Sequence, residues 1–76
     1  MVTAYVLATV KSGAEREAID KLRKVSEIKE AYLLYGEFDL ILKIELEGIS
    51  ELTDFILEKV RGTNVVERTT TLIVAG

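Results

Sequence analysis

Cysteine, histidine and proline are all missing from this chain of 76 residues. Without cysteine there can be no disulfide, no thiolate nucleophile and no sulfur ligand for zinc. Without histidine there is no imidazole base, so the Ser-His-Asp arrangement and the Cys/His metal sites go with it. No GxGxxG motif is present, nor a GxxxxGK followed by Ser or Thr, which removes the glycine-rich cradles for dinucleotides and nucleotide phosphates. Long hydrophobic runs are missing too: none approaches the roughly 18 residues of a membrane span, and no basic-then-apolar leader opens the chain. Positive charge is thin. Ten Lys and Arg are scattered against thirteen Asp and Glu, for a net charge of −3, whereas a duplex-binding domain gathers its cations on one face. These absences lead us to expect a soluble, cytoplasmic protein with no membrane contact, no direct contact with nucleic acid and no cofactor.

What remains is a globular mixture, 49% apolar and 30% charged. With no linker-like or low-complexity stretch, a single domain over residues 1–76 is expected. A domain of this size buries only about 60% of the surface its unfolded chain exposes. Small scaffolds recover stability from disulfides, metals or oligomerisation, and here only oligomerisation is left.

Periodicity divides the chain into six elements. Residues 2–10, VTAYVLATV, are strand material, with small apolar residues at every second position. After "KSG" the period lengthens: Ala14, Ala18, Leu22 and Val25, with Ile19 beside them, mark an amphipathic helix whose opposite face, Glu15 to Lys24, is charged and solvated. Residues 28–35 and 38–46 read as strands joined by Gly36-Glu37 in a two-residue hairpin of the II′ kind. A second helix follows, with Ser50 as N-cap, Leu52, Phe55, Ile56 and Val60 as its apolar stripe, and Gly62 as its C-terminal residue. A last strand runs from Val65 to Val74. Right-handed crossovers on a β-α-β-β-α-β order give an α+β, ferredoxin-like fold: a four-stranded antiparallel sheet in order 4-1-3-2, with both helices on one face.

Period-2 alternation then assigns faces. Phe38, Leu40, Leu42, Ile44 and Leu46 should meet the helices, as should Val2 to Val10 at even positions and Leu72 and Val74. That leaves Asp39, Tyr5, Leu7, Ile41, Thr69, Thr71 and Ile73 on the uncovered face. Such a face is apolar enough to mark an interaction site, and Tyr5, Leu7, Ile41 and Ile73 are candidates for a symmetric dimer interface.

For chemistry, Glu37 and Asp39 form the nearest carboxylate pair, but two acids around a turn are usually solvated turn chemistry, and no enzyme is expected. A binding role suits "GEFD", residues 36–39, better. The Gly36 backbone can approach a ligand closely, and Asp39 can accept from an ammonium group. Thr69 and Thr71 add hydroxyls. Together these groups could hold a zwitterionic amino acid. Gly36 as a plain turn residue and the threonines as plain strand formers remain open readings.

The sequence also resembles a known family: the RAM domain, the effector-binding half of the Lrp/AsnC feast/famine transcription regulators. The resemblance is carried by "AYVLATV", "SGAEREAIDKL", "IKEAYLLYGEFDLILKIEL" and "VVERTTTLIV", and most specifically by the Gly-x-Phe-Asp element at Gly36, Phe38 and Asp39. It implies an amino-acid effector bound by Gly36, Glu37, Phe38 and Asp39 at an inter-subunit site, with Thr69 and Thr71 matching more loosely. It further implies a homodimer assembling into a higher ring oligomer; co-assembly with full-length Lrp/AsnC relatives is left open. The chain begins at the first strand, without a helix-turn-helix half, so a stand-alone module is expected. Two other classes stay open: a purely structural interaction module, and a small ferredoxin-like dimeric enzyme of the monooxygenase type.

Overall fold

In a computed structural model describing residues 1–76, four strands and two helical segments follow in the order β-α-β-β-α-β. They are β1 (Val2–Val10), α1 (Glu15–Leu22), β2 (Ile28–Leu33), β3 (Leu40–Leu46), α2 (Leu52–Phe55) and β4 (Val66–Ile73). The strands form one sheet in the order β2-β3-β1-β4, every neighbouring pair antiparallel, which is the ferredoxin-like arrangement. No helix is long and apolar enough to cross a membrane.

The core lies between the sheet and the helices. Even-numbered β1 residues (Ala4, Val6, Ala8, Val10) and even-numbered β3 residues (Leu40, Leu42, Ile44, Leu46) are buried. They meet Ala18, Ile19 and Leu22 of α1, and Leu52, Phe55, Ile56 and Val60 of the second helical segment, as the two apolar periods require. No polar or charged residue is buried among them. Small residues on β1 let the helices sit close over the centre of the sheet.

The second helix differs in detail from its sequence signals. It opens with a tight turn over Ile49–Glu51, and the Gly48 N–H donates to Glu51 Oε1 at 2.9 Å, so Gly48 and not Ser50 stands at its start. Past α2 the helix widens over Ile56–Val60 and closes with a tight turn over Arg61–Thr63. Asn64, at φ 67°, takes the left-handed position expected of Gly62. Asparagine tolerates that conformation better than other non-glycine residues because its short amide can bond locally.

The two-residue hairpin is also corrected. β2 ends at Leu33 and β3 begins at Leu40, so the connection spans residues 34–39. The Leu34 N–H donates to the Asp39 carbonyl at 2.8 Å and closes it. Gly36 sits in the connection at φ 136°, where a side chain would be strained although an added Cβ would touch nothing.

Register settles which face each residue takes, because directly opposed residues on antiparallel strands share a side. Tyr32 of β2, Ile41 of β3, Leu7 of β1 and Thr70 of β4 form one rank across the uncovered face. Glu30, Lys43, Tyr5 and Leu72 form the next, with Lys43 Nζ 3.8 Å from Glu30 Oε2. The expectation for β4 is reversed. Thr69, Thr71 and Ile73 pair with the buried Ala8, Val6 and Ala4, which puts them on the helix side, while Leu72 lies on the uncovered face. The physical reason is a bulge. Thr9 pairs with Arg68 but Val10 with Val66, so Glu67 is an extra residue and the alternation of β4 changes phase there.

Candidate functional site

Asp39 makes three bonds at the end of the sheet. Its N–H donates to the Ala8 carbonyl at 2.8 Å, its carbonyl accepts from the Leu34 N–H at 2.8 Å, and its Oδ2 accepts from the Val10 N–H at 2.9 Å. The Cα pairing of β1 with β3 stops at Ala8 and Leu40, so β3 has no residue left to face Val10. The side chain supplies the acceptor that the backbone ladder no longer can, and a buried residue's N–H is thereby satisfied. Asp39 is half-buried and stands at the foot of the 34–39 connection, not at its tip.

On one side of that connection lies a concavity of about 500 Å³. Gly36 and Asp39 line it together with Leu33, Leu34, Tyr35 and, from the first turn of α1, Glu15. Its walls therefore combine two carboxylates, apolar side chains and glycine backbone, with no cationic side chain among them. Two carboxylates facing an open cleft favour a ligand that brings a positive group, and the exposed Leu34 and Tyr35 offer it apolar surface.

The other expected site residues lie elsewhere. Glu37, Phe38 and Thr69 line a second concavity of about 370 Å³ beside Arg61, Glu67, Arg68 and Thr70. Thr71 lines a third, of about 270 Å³, between β4 and the second helix, where it meets Leu52, Ile56 and Ile73. Gly36 with Asp39, Glu37 with Phe38 and Thr69, and Thr71 are thus three separate places within one chain. Tyr5, Leu7 and Ile41 share the uncovered face, while Ile73 is on the other side, with Leu72 in its stead. No three Asp or Glu side chains converge as a carboxylate metal site would need.

Glu15 was not singled out by the sequence, where it belongs to a charged helix face. A signal did exist: it precedes Ala18 and Ile19 by three and four residues, so it borders the buried stripe. The half-buried glutamate has no ion pair or hydrogen bond within the protein through its side chain.

Residues 3–75 match the model of the Lrp/AsnC ligand binding domain. This chain belongs to that family. Among full-length relatives, the HTH-type transcriptional regulator FL11 of Pyrococcus furiosus is 38% identical over 73 residues, covering 96% of this chain and 48% of its own. The chain thus spans about half the length of the regulators it matches. Among solved structures, FFRP-DM1 superposes with a TM-score of 0.94 at 44% identity, covering 99% of this chain and 100% of its own. Hypothetical protein PHS023 from Pyrococcus horikoshii gives 0.91 at 43%, covering 100% and 92%. E. coli AsnC gives 0.92 at 26%, covering 99% of this chain and 51% of its own. The full-length relatives are named as HTH-type transcriptional regulators, and the part matched is the family's ligand binding domain.

Proposed function

We propose that this Lrp/AsnC domain binds a free amino acid in the concavity beside the 34–39 connection and serves transcription regulation through its assembly rather than by touching DNA. The observation that carries the reading is the makeup of that concavity: Gly36 backbone, the Asp39 and Glu15 carboxylates, and a wall of Leu33, Leu34 and Tyr35. An α-ammonium group is held by a carboxylate, with Asp39 Oδ1 the free oxygen of the clasped side chain. The Gly36 backbone accommodates the ligand's close approach, and the apolar wall covers its side chain. The ligand's α-carboxylate finds no cation in this concavity, which supports a site completed by a neighbouring subunit. Glu37, Phe38, Thr69 and Thr71 then act, if they touch ligand, from a different protomer than Gly36 and Asp39.

The uncovered sheet face suits a homodimer. Tyr5, Leu7, Ile41, Tyr32 and Leu72 form an apolar band across all four strands, and Leu72 and Tyr32 are 54% and 52% exposed in the single chain. Two such faces packed together would bury the band. Dimers of this kind joining into a ring, or with full-length Lrp/AsnC relatives, give amino-acid binding a route to regulation.

Isothermal titration calorimetry with each of the twenty common amino acids tests the binding. Saturable heat with at least one of them is the expected result, and silence across the set from a protein of intact oligomeric state removes the effector reading.

A further inference from the structure

Asp39 is a polar group with an unusual position. It is the last residue before β3, yet it bonds to β1 by both backbone and side chain, while its carbonyl closes the connection by accepting from the Leu34 N–H. We infer that Asp39 is a positioning residue: its Oδ2–Val10 bond clasps the 34–39 connection to the end of β1 and so fixes where Gly36 stands in the concavity. This rests on the reading of the concavity as the effector site and gives Asp39 a second duty there, independent of its charge.

Three observations carry the inference. The clasp is long-range, joining residues 29 apart in sequence, so it constrains tertiary placement and not a local turn. It sits where regular pairing fails on both sides of β1. Towards β3 the pairing has ended at Leu40, and towards β4 it shifts between Thr9 and Val10. The strand end is then tied onward by the Lys11 N–H donating to the Val65 carbonyl at 2.9 Å. The segment held in place has little else to hold it. Tyr35, Gly36 and Glu37 are exposed, and none donates or accepts a hydrogen bond within the protein. Remove the Oδ2 acceptor and the only hydrogen bonds left to the connection are those of the Asp39 main chain.

The chemistry separates position from charge. An N–H donor needs an acceptor oxygen at the right place, and a carboxamide provides one as a carboxylate does. An ammonium ligand needs the charge. Asp39→Asn therefore keeps the clasp and loses the charge, whereas Asp39→Ala loses both.

Amide hydrogen exchange by NMR on the ligand-free protein decides the matter. In wild type and Asp39→Asn the Val10 amide is protected to a similar degree. In Asp39→Ala it exchanges about tenfold faster, with Leu34 following, while Leu42 and Ile44 in the core are unchanged. Equal Val10 rates in all three proteins, or acceleration spread evenly over the core, overturn the inference. Where Asp39→Ala does not fold, Asp39→Glu takes its place, since the extra methylene keeps the charge and moves the acceptor; a Val10 amide as well protected there as in wild type overturns the inference equally. Calorimetry with the twenty amino acids supplies the functional readout. For any that binds the wild type, affinity falls from wild type to Asp39→Asn and again to Asp39→Ala; identical losses in the two variants overturn the positioning role. Silence of every amino acid toward the wild type sinks the effector reading by itself, and the exchange rates still decide the clasp.

Discussion

β3 and β4 flank β1 on either side and both look like ordinary alternating strands, yet one obeys its alternation and the other does not. In β3 the even residues from Leu40 to Leu46 are buried and the odd ones half-exposed along the whole element. In β4 only Val66 is buried, and beyond the bulge at Glu67 the phase shifts so that Thr69, Thr71 and Ile73 turn toward the helices. The difference is one of cover. β3 runs beneath helices that bury an unbroken apolar set, and a one-residue slip would put that whole set in water. β4 is an edge strand under a short second helix, and its helix-side residues are only partly covered. Little energy depends on its phase, and a bulge can reset it.

The widest gap between the two strands should appear in stability. Leu42→Ala, which truncates a fully buried side chain in β3, is expected to cost about 2–5 kcal/mol in chemical denaturation. Thr71→Ala, at the facing position of β4 across β1, should cost less than about 0.5 kcal/mol. Comparable losses would break the contrast. Self-association comes next. If β4 shows Leu72 to the uncovered face, Leu72→Asp should weaken dimerisation at least about tenfold by sedimentation equilibrium, because a charge would enter an apolar interface. Ile73→Asp, on the helix side, should leave it nearly unchanged, and the reverse outcome would restore the phase read from sequence. Gly36→Ala probes the connection itself. At φ 136° an alanine is strained, and a loss of about 1 kcal/mol or more is expected with no steric clash to account for it. The smallest effect contrasts the two edges of the sheet. Arg23 Nε and Nη2 both donate to the Ala31 carbonyl of β2, at 3.2 and 2.8 Å, and no such cap guards β4. Arg23→Ala is expected to cost about 0.5–1.5 kcal/mol and to leave association unaltered.

The legible parts of this protein are those that burial enforces. The stripes Ala18-Ile19-Leu22 and Leu52-Phe55-Ile56-Val60 and the alternation of β1 and β3 gave the element order, the sheet order and nearly all of the core. What was hidden lies where apolar pattern is silent or ambiguous. Leu72, Ile73 and Val74 are consecutive and apolar, so either phase of β4 fits them, and the neighbouring buried pair Val65 and Val66 was the one hint of a bulge. The length of the β2–β3 connection escaped because Gly36-Glu37 matches a short hairpin by type, while Asp39, whose carbonyl closes the real connection, is held by Ala8 and Val10 of the sequence-distant β1. Helix ends were misplaced by two residues because Glu51 reaching back to Gly48, and Asn64 adopting positive φ, depend on local geometry that several residues could satisfy. At the candidate site, "GEFD" carried the expectation of a ligand-facing carboxylate at Asp39. It could not disclose that Asp39 is first of all bonded to Val10, or that Glu15 stands across the concavity.

The central claim, that the concavity beside the 34–39 connection takes a free amino acid, is tested most directly by titrating the isotope-labelled protein with each of the twenty common amino acids and following backbone amide shifts. The account predicts saturable shifts for at least one amino acid, centred on Glu15, Leu34, Gly36 and Asp39. Shifts centred instead on Thr71 and Ile73, or none for any amino acid, would contradict it.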